Sequence, residues 1–388
     1  MKNENGVMKA LPVLFGFFVM GFCDIVGISS DYVQEAFGWS NTMTGFVPSM
    51  VFIWFLFLGI PVGVKMNKWG RKNTVLLSMV VTVVGMIIPL AYYSSVTCMV
   101  AFALLGIGNA ILQVSLNPLL NNVITNKKLL TSSLTGGQVV KAVSSLVGPS
   151  IVVFSAQYFG AEKWYYFFPI LGTITIISAL WLLFTSIPRE EQAKSESGSA
   201  MSDTFALLKD NTILLLFLGI FFVVGVDVAT NFISSKLLIA RFQWSKEAAS
   251  IAPQVYFFSR TVGALLGAFL MTKVAAMKYF KINIIACIAV VLVLAFVEIE
   301  IVNLVCIGAI GFLASCIFPI IYSMAVQARP ENANQISGLM ITAVAGGGAV
   351  SPAIGFATDS VGMVGGVLVI LVCVMYLTYC AFGVKIAK

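Results

Sequence analysis

The sequence predicts an all-α integral membrane protein with twelve transmembrane helices. Of its 388 residues, 59% are hydrophobic and only 10% are charged, whereas a soluble protein carries about 25% charged residues. The apolar residues occur in consecutive blocks of about 20, which is the length that a helix needs to cross a bilayer. This composition excludes a soluble globular chain and makes the lipid bilayer an expected partner.

Charged and turn-forming residues separate the apolar blocks. The predicted spans cover residues 8–28, 43–65, 73–94, 97–123, 133–157, 164–187, 211–235, 247–271, 278–297, 300–326, 334–357 and 361–385. Residues 188–210, between the sixth and seventh spans, are rich in charge, Ser and Gly, a composition typical of a linker. We therefore expect an N-terminal six-helix half over 1–187, a cytoplasmic linker over 188–210 and a C-terminal six-helix half over 211–388.

The two predicted halves share sequence features in the same order. FFVMGFCD at 17–24 resembles FFVVGVD at 221–227. The Gly-Pro pair at 148–149 in the fifth span corresponds to the Ser-Pro pair at 351–352 in the eleventh span. Internal repeats of this kind indicate a transporter built from two related halves, with the substrate site expected between them.

The distribution of basic residues predicts the orientation of the chain. Of the 23 Lys and Arg residues, seventeen fall in the termini and in the loops of one side, and the opposite side holds Lys163, Lys236, Arg241 and Lys246. The positive-inside rule places the more basic side in the cytoplasm. We therefore expect a multi-pass protein of the cytoplasmic (inner) membrane with both termini in the cytoplasm. Because orientation explains the net charge of +7, we infer no nucleic-acid partner.

Three features that the sequence lacks limit the kinds of functional site that the protein can contain. There is no histidine, the seven cysteines are dispersed without a CxxC pair, and no GxxxxGK[ST] nucleotide-binding motif occurs. We therefore expect no metal site, no cofactor, no ATP-driven pump and no enzyme. The first apolar block lacks a small-residue cleavage site, so we interpret it as the first span and not as a signal peptide.

Amide side chains recur along the fourth predicted span. Four of them are spaced by four residues and so share one helical face: Asn109, Gln113, Asn117 and Asn121. Hydrocarbon cannot satisfy amides, so this face contacts protein or a watery cavity. Amides both donate and accept, which suits the hydroxyls of a polyol. We expect the first three, with Gln138 of the fifth span, to bind substrate; the alternative is that the amides only join helices.

Two charged residues lie within predicted spans of the N-terminal half, Asp24 in the first and Lys141 in the fifth. A charge at this depth costs at least about 2.5–3.5 kcal/mol, so each is expected to have a partner or a function. We interpret them as a charge switch, in which a proton or substrate that neutralises Asp24 releases Lys141 and biases which side is open. A static ion pair and direct binding of an anion by Lys141 are the alternatives.

The C-terminal half contains a second set of polar residues within spans. Asp227 corresponds to Asp24 in the repeat, and Asn231 follows it by one helical turn. Arg260 lies in the eighth span, after Gln254 and Tyr256. We expect the amides and the tyrosine to bind substrate and the two charges to take part in coupling. The alternatives are a helix–helix hydrogen bond of Asp227 and simple neutralisation of Asp227 by Arg260.

The segment after the second span reads GVKMNKWGRKNTVL, residues 63–76. It resembles the loop signature of the major facilitator superfamily, in which a glycine, a basic residue and Gly-Arg-Lys recur at fixed spacing. The matching positions are Gly63, Lys68, Gly70, Arg71 and Lys72, and Asn67 stands where the family usually has aspartate. The resemblance implies two pseudo-symmetric six-helix halves and alternating access, with the cations of this gating loop holding helix ends on the cytoplasmic face in one conformation.

Spans four and five also resemble the fucose–galactose–glucose:proton symporter family, through GNAILQVSLNP at 108–118 and the Gln138-x-x-Lys141 spacing. This resemblance implies sugar uptake driven by an ion gradient, usually of protons. Three positions depart from the fucose permeases of that family. Gly27 replaces an acid of span one, Gln113 replaces an acid of span four, and Lys141 replaces a substrate-facing asparagine, so the coupling residue does not carry over.

The sequence therefore predicts a secondary active transporter that imports a neutral monosaccharide or a derivative by proton symport. One alternative is an importer of sugar acids or other organic anions that uses Lys141 and Arg260. A second alternative is sodium-coupled sugar symport. We expect a monomer whose partners are a small-molecule sugar and a proton.

Overall fold

The structure, a computed structural model, describes residues 2–123, 127–187, 201–329 and 332–384. Every secondary-structure element in these ranges is helical, which confirms the predicted fold class. Most of the predicted linker, residues 188–200, lies outside the described residues. The short helices Met201–Ala206 and Leu207–Lys209 follow it and lead into the seventh span.

Twelve helical spans follow one another along the described chain. The first six are Lys2–Met20 with Gly21–Ile25 and Val26–Phe37; Asn41–Phe52 with Trp54–Trp69; Arg71–Ala91; Ser95–Val123; Lys127–Phe159; and Ala161–Tyr166 with Phe167–Phe184. The last six are Asn211–Phe242; Lys246–Ala249 with Ile251–Leu270; Ala276–Phe296; Glu300–Ala314 with Ile317–Ala328; Ala333–Thr342 with Ala343–Ala345 and Gly346–Val361; and Met363–Gly383.

Length and hydropathy alone qualify eleven helical runs of the described chain as membrane spans. The eighth span, Ile251–Leu270, is not among them because Gln254 and Arg260 lower its mean hydropathy. Polar residues inside a span are costly in hydrocarbon and are usually turned towards protein or a cavity. The eighth span, which has the lowest hydropathy, is therefore a candidate location for a functional site.

Two spans continue seven or more residues past the ends that the sequence predicted. The first span was expected to end at residue 28 and continues to Phe37; the seventh was expected to end at residue 235 and continues to Phe242. The added turns contain Asp31 and Lys236, whose charges suggest a loop. The two side chains form an ion pair with each other inside the protein, so the helices can continue without exposing either charge to lipid.

The chain forms two compact units. One comprises Met1–Ile25 and Phe57–Ser199, and the other comprises Val26–Leu56 and Ala200–Lys388. The boundary falls inside the first and second spans, close to two interruptions of regular α-helix. These are the 3-10 turn Gly21–Ile25 and the break between Phe52 and Trp54. The division into halves at 1–187 and 211–388 stays a prediction.

Candidate functional site

A polar pocket lies among the seventh, eighth and tenth spans. Tyr256 donates a hydrogen bond to Oδ1 of Asp227 at 2.5 Å, and the Arg260 guanidinium lies 3.1 Å from Oδ2. The pocket is small and partly open to solvent. Its other lining residues are Val223, Val224, Ala314, Ser315 and Phe318. Three residues predicted for the site are thus brought together.

Helical spacing explains the cluster. Tyr256 and Arg260 are four residues apart on one helix and therefore lie on the same face, and both reach Asp227 on the neighbouring span. The ion pair that was considered as an alternative is formed, which follows from the cost of burying either charge alone. The side chains of Asp227 and Arg260 nevertheless stay 22% and 35% exposed. The cluster can therefore offer a carboxylate acceptor and guanidinium donors to a ligand while its net charge is zero.

Ser315 and Phe318 complete the pocket, although the sequence did not single them out. Both lie in the apolar tenth span, where no periodic polar signal separates the pocket-facing side from the rest. Their position depends on how the tenth span packs against the seventh and eighth. An aromatic ring beside hydrogen-bonding groups is a common arrangement in ligand sites.

Two predicted ligands are not part of the pocket lining. Gln254 is half-buried and precedes Tyr256 by two residues, which places it on a different face of the eighth span. Asn231 is only 3% exposed and packs against Gly27 of the first span. A Cβ at Gly27 would come within 2.6 Å of the Asn231 carbonyl oxygen. Asn231 therefore packs against Gly27, where a larger side chain would require a shift of the backbone, and its substrate role stays a prediction.

The amide series of the fourth span changes in exposure along its length. Asn117 is exposed and Gln113 is half-buried, whereas Asn109 is only 2% exposed. Asn109 donates to the carbonyl oxygen of Met20 at 2.7 Å and accepts from Gln113 at 2.8 Å. Asn109 therefore joins the fourth span to the first at the point where the 3-10 turn begins, and its substrate role stays a prediction.

Gln113 and Asn117 stay candidate ligands, and Gln138 of the fifth span is exposed, as a ligand in an open cavity can be. The side chain of Asn121 lies outside the described residues. The amides of the fourth span thus become more exposed from Asn109 to Asn117, and their role in binding substrate stays a prediction.

Asp24 lies in the 3-10 turn of the first span and is 7% exposed. The Ser145 hydroxyl oxygen lies 2.5 Å from Oδ2 of Asp24 and 3.1 Å from the Lys141 carbonyl oxygen, so its single hydrogen can be donated to either acceptor. Lys141 itself is half-buried. The expected pairing of Asp24 with Lys141 is not among the ion pairs formed by the described residues; the carboxylate instead contacts the serine one turn further along the same helix.

A second buried ion pair, which sequence reasoning missed, joins the first and seventh spans. Lys236 Nζ lies 2.8 Å from Asp31 Oδ1, and the two side chains are 4% and 3% exposed. Ser235 donates to Asp31, and Lys236 donates to Gln34 at 2.5 Å. Lys236 had been assigned to a loop. Its partner was detectable in the sequence, since Asp31 follows Asp24 by two helical turns on the same face.

The loop after the second span adopts a conformation that requires glycine. Gly70 has φ of +86° and ψ of 143° and precedes the helix that starts at Arg71. Side chains are strongly disfavoured in this region of backbone space. Gly63 lies in the preceding helix, and Lys68 is exposed. The side chain of Asn67 lies outside the described residues.

The cations of this loop bind helix carbonyls. Arg71 donates to the Pro118 carbonyl oxygen at 2.9 Å and to the Asn122 side chain, near the end of the fourth span. Lys72 donates to the Leu183 and Thr185 carbonyl oxygens at 2.9 and 2.8 Å, at the end of the sixth span. Cations at helix C-termini satisfy carbonyls that have no intrahelical partner and interact favourably with the helix dipole.

Curated relatives are similar to this chain over nearly its full length. A glucose/galactose transporter of Brucella abortus is 24% identical over 400 residues, covering 97% of this chain and 94% of that protein. A putative glucose/galactose transporter of Helicobacter pylori is 25% identical over 365 residues, covering 88% of this chain and 87% of that protein.

Solved structures have the same fold. The E. coli fucose:proton symporter FucP superposes with a TM-score of 0.69 at 17% identity, covering 97% of this chain and 98% of that chain. The nucleoside transporter NupG superposes with a TM-score of 0.76 at 16% identity, covering 97% and 98%. The family model for the Major Facilitator Superfamily matches residues 13–352. The chain therefore belongs to the Major Facilitator Superfamily and is a membrane transporter, not an enzyme.

Proposed function

We propose that this transporter imports a neutral monosaccharide together with a proton, by alternating access. The observation that carries the proposal is the Asp227–Tyr256–Arg260 cluster, which places a charge-neutral set of donors and acceptors in a pocket within membrane spans. Sugar hydroxyls both donate and accept, so they can use the carboxylate and the guanidinium together. The naming of curated relatives as glucose/galactose transporters supports a hexose as the substrate class.

The pocket favours a neutral sugar over a sugar acid. Arg260 lies 3.1 Å from Asp227, so a substrate carboxylate at Arg260 would also approach the Asp227 carboxylate. Like charges at this distance repel strongly in a medium of low dielectric constant. Lys141 stays a possible ligand for an anion. In the alternative in which the protein imports organic anions, Lys141 would then have to bind the substrate carboxylate without Arg260.

Asp24 is the better candidate for the proton carrier, because the Ser145 hydroxyl and the Cys23 thiol that contact it suit both protonation states. The Ser145 hydroxyl can donate to a carboxylate and can accept from a carboxylic acid. A guanidinium can only donate, so Arg260 favours the ionised form of Asp227. Neutralisation of Asp24 at the 3-10 turn would then change the local charge beside Lys141. Sodium at Asp24 is the alternative coupling mode.

A combined binding and uptake experiment tests this proposal. Purified protein is screened by thermal shift against neutral hexoses, amino sugars, uronic acids and sialic acids, because a ligand of the folded state raises Tm by mass action. Uptake into proteoliposomes is then driven by a pH gradient or by a sodium gradient. We expect a neutral hexose to stabilise the protein and a pH gradient to drive its accumulation. Stabilisation by acids alone, lost in Lys141→Gln or Arg260→Gln, would instead establish the anion carrier.

We also propose that the protein lies in the cytoplasmic membrane and works as a monomer. Both of its termini are expected in the cytoplasm. This orientation is supported by the excess of basic residues on one side of the predicted topology.

A further inference from the structure

Three lysines form a basic patch at the ends of the eighth and ninth spans, on the side that is predicted to be cytoplasmic. Lys273 follows the eighth span, and Lys278 and Lys281 lie in the first two turns of the ninth. Residues 261–297 and 361–388 of the sequence contain no Asp or Glu. No ion pair within the described part of the chain includes any of the three lysines. The basic patch therefore has an excess of positive charge that these segments do not neutralise.

The two spans that carry the basic patch are in contact at this end. A Cβ at Gly267 would come within 2.6 Å of the Tyr279 hydroxyl oxygen, so the last turns of the eighth span lie against the first turns of the ninth. Tyr279 is buried in this contact, whereas its neighbour Lys278 is exposed. The Cα atoms of Lys273 and Lys278 are at most about 18 Å apart, because five residues of chain extend no further. Long lysine side chains from both spans can therefore reach the same ligand.

The ninth span has a face that is cationic near its end and apolar further along the helix. Lys278, Lys281, Ile282 and Ile285 follow the spacing of one helical face. The two isoleucines are 57% and 52% exposed, as expected for side chains in contact with lipid. Both lysines lie within about 8 Å of the start of the helix, since each residue adds about 1.5 Å. Their alkyl stems can cover apolar surface while the ammonium groups reach the level of the lipid head groups.

Two lysines of the basic patch lie beside exposed aromatic rings. Lys281 Nζ is 4.7 Å from the ring centroid of Phe382 in the twelfth span, and Lys273 Nζ is 5.0 Å from that of Phe269 in the eighth. Both rings are more than half exposed. Cation–π attraction favours these positions. It keeps the ammonium groups at the edge of an apolar surface instead of extending them into solvent.

The positive-inside rule accounts for basic residues on this side, but it does not require them to share a face or to lie beside exposed rings. Lys278 and Lys281 are three residues apart on one helix, so their charges repel each other. An anion bound between them would remove this repulsion. A phospholipid supplies an anionic head group together with acyl chains, which match the exposed isoleucines and Phe382 below the lysines.

We propose that the basic patch binds an anionic phospholipid. The phosphate lies between Lys278 and Lys281, an acyl chain follows Ile282 and Ile285, and Lys273 adds a third positive charge near the head group. A zwitterionic lipid would bind less well, because its own cation is repelled by the lysines. The site lies outside the Asp227–Tyr256–Arg260 pocket and does not depend on the transported substrate.

Native mass spectrometry of the full-length protein in mild detergent tests the proposal, because it resolves individual bound lipids. Phosphatidylglycerol and phosphatidylcholine with the same acyl chains are titrated separately. We expect the parent to bind the first phosphatidylglycerol at least about tenfold more tightly, since each lysine near an anionic head group contributes several-fold in affinity. The double variant Lys278→Gln with Lys281→Gln should bind the two lipids within about threefold of each other.

Two further variants separate a built site from net charge and from loss of the fold. Lys65→Gln with Lys209→Gln removes two exposed lysines of the same predicted side and should keep the full preference for phosphatidylglycerol. Lys278→Arg with Lys281→Arg retains both charges and should keep it too. All variants should have the Tm of the parent in detergent without added lipid.

Equal affinity of the parent for the two lipids would overturn the proposal. An equal loss of preference in the glutamine pair at 278 and 281 and in the control pair would also overturn it, because net charge alone would then explain the binding. Glycerol 3-phosphate in excess distinguishes a lipid from a soluble phosphate. It should leave phosphatidylglycerol bound, since it brings no acyl chains to the apolar surface; displacement would assign the patch to soluble phosphates and refute the lipid site. None of these measurements needs a sugar, so their outcome is separate from that of the proposed function.

Discussion

Two carboxylates within the spans, Asp24 and Asp227, have partners that suit them to different tasks. Ser145 can stay bonded to Asp24 whether the acid is charged or neutral, whereas Arg260 and Tyr256 hold Asp227 in one ionised arrangement. We expect Asp24→Asn to abolish accumulation of sugar against a gradient and to retain exchange of sugar at equilibrium.

We expect Asp227→Asn to weaken sugar binding by at least about tenfold, the effect of losing one charged hydrogen-bond partner.

Transport in proteoliposomes separates these effects, because counterflow needs binding and movement but no net proton uptake. Glu300→Gln changes an exposed acid and serves as the control with normal accumulation. Accumulation that persists in Asp24→Asn would assign proton coupling to another residue.

Two asparagines of the fourth span have opposite roles despite their common spacing. Asn109 is buried and joins two helices, and Asn117 is exposed. We expect Asn109→Ala to lower the free energy of unfolding by about 1–2 kcal/mol, as for loss of a buried hydrogen bond between membrane helices. Asn117→Ala should stay within about 0.5 kcal/mol. Unfolding in detergent measures both, and equal stability of the two variants would show that Asn109 is not structural.

At the scale of elements, the loop after the second span depends on the backbone of one glycine. Gly70 has φ of +86°, and a side chain in this region costs about 1–3 kcal/mol. Gly70→Ala should therefore destabilise the protein by about that amount. Gly63→Ala is the matched control: it lies within a helix, where its Cβ would be 3.9 Å from Val114, and alanine there should be neutral or stabilising. A stable Gly70→Ala protein would contradict the assigned loop conformation.

The start of the seventh span is capped by a residue whose charge should appear in the pH dependence of stability. Asp210 accepts from Arg329 and from the Thr212 amide, and these hydrogen bonds, the one from Arg329 foremost, hold its pKa below the ordinary value. A lowered folded pKa contributes stability above the unfolded value of about 3.9, and this contribution is lost as the pH falls through the folded pKa.

We therefore expect the parent to be more stable than Arg329→Gln near pH 7 and the difference to shrink as the pH falls below about 4. Unfolding midpoints of the two proteins across this range provide the measurement. A difference that is constant with pH would mean that Arg329 stabilises the protein by packing and not through the Asp210 charge.

The hydrophobic blocks were sufficient to predict the helices. A segment that crosses lipid must form its backbone hydrogen bonds within itself, and a helix does so. The ends of the first and seventh spans were wrong, since Asp31 and Lys236 look like loop residues until they are seen to pair. The same limit applies to Asp24: the pattern placed it in a span but could not distinguish Ser145 from Lys141 as its partner. Helical periodicity predicts which face of a helix a residue lies on. It does not predict the residue's partner, because the partner depends on packing between helices that are distant in sequence.

At the scale of the whole molecule, the orientation stays a prediction from the distribution of basic residues. Lys236 and Arg241 were counted as loop cations of the less basic side, yet both lie within the seventh span with side chains 4% and 5% exposed. Arg241 donates to the Leu294 and Ala295 carbonyl oxygens at the end of the ninth span. Arg71 and Lys72 of the more basic side are bound to helix carbonyls in the same way, so the difference between the two sides rests on the count of basic residues in the sequence.

The orientation is tested by reporters fused at the C-terminus and, separately, in the turn between the first and second spans. We expect a C-terminal green fluorescent protein to fluoresce and a C-terminal alkaline phosphatase to be inactive, because the positive-inside rule places that end in the cytoplasm. A phosphatase inserted at Gly38, an exposed glycine with φ of +63° in that turn, should be active. The two positions lie at opposite ends of an odd number of spans, so they must give opposite signals in any single orientation. The reverse pattern would place the Gly63–Lys72 loop outside and would overturn the predicted orientation.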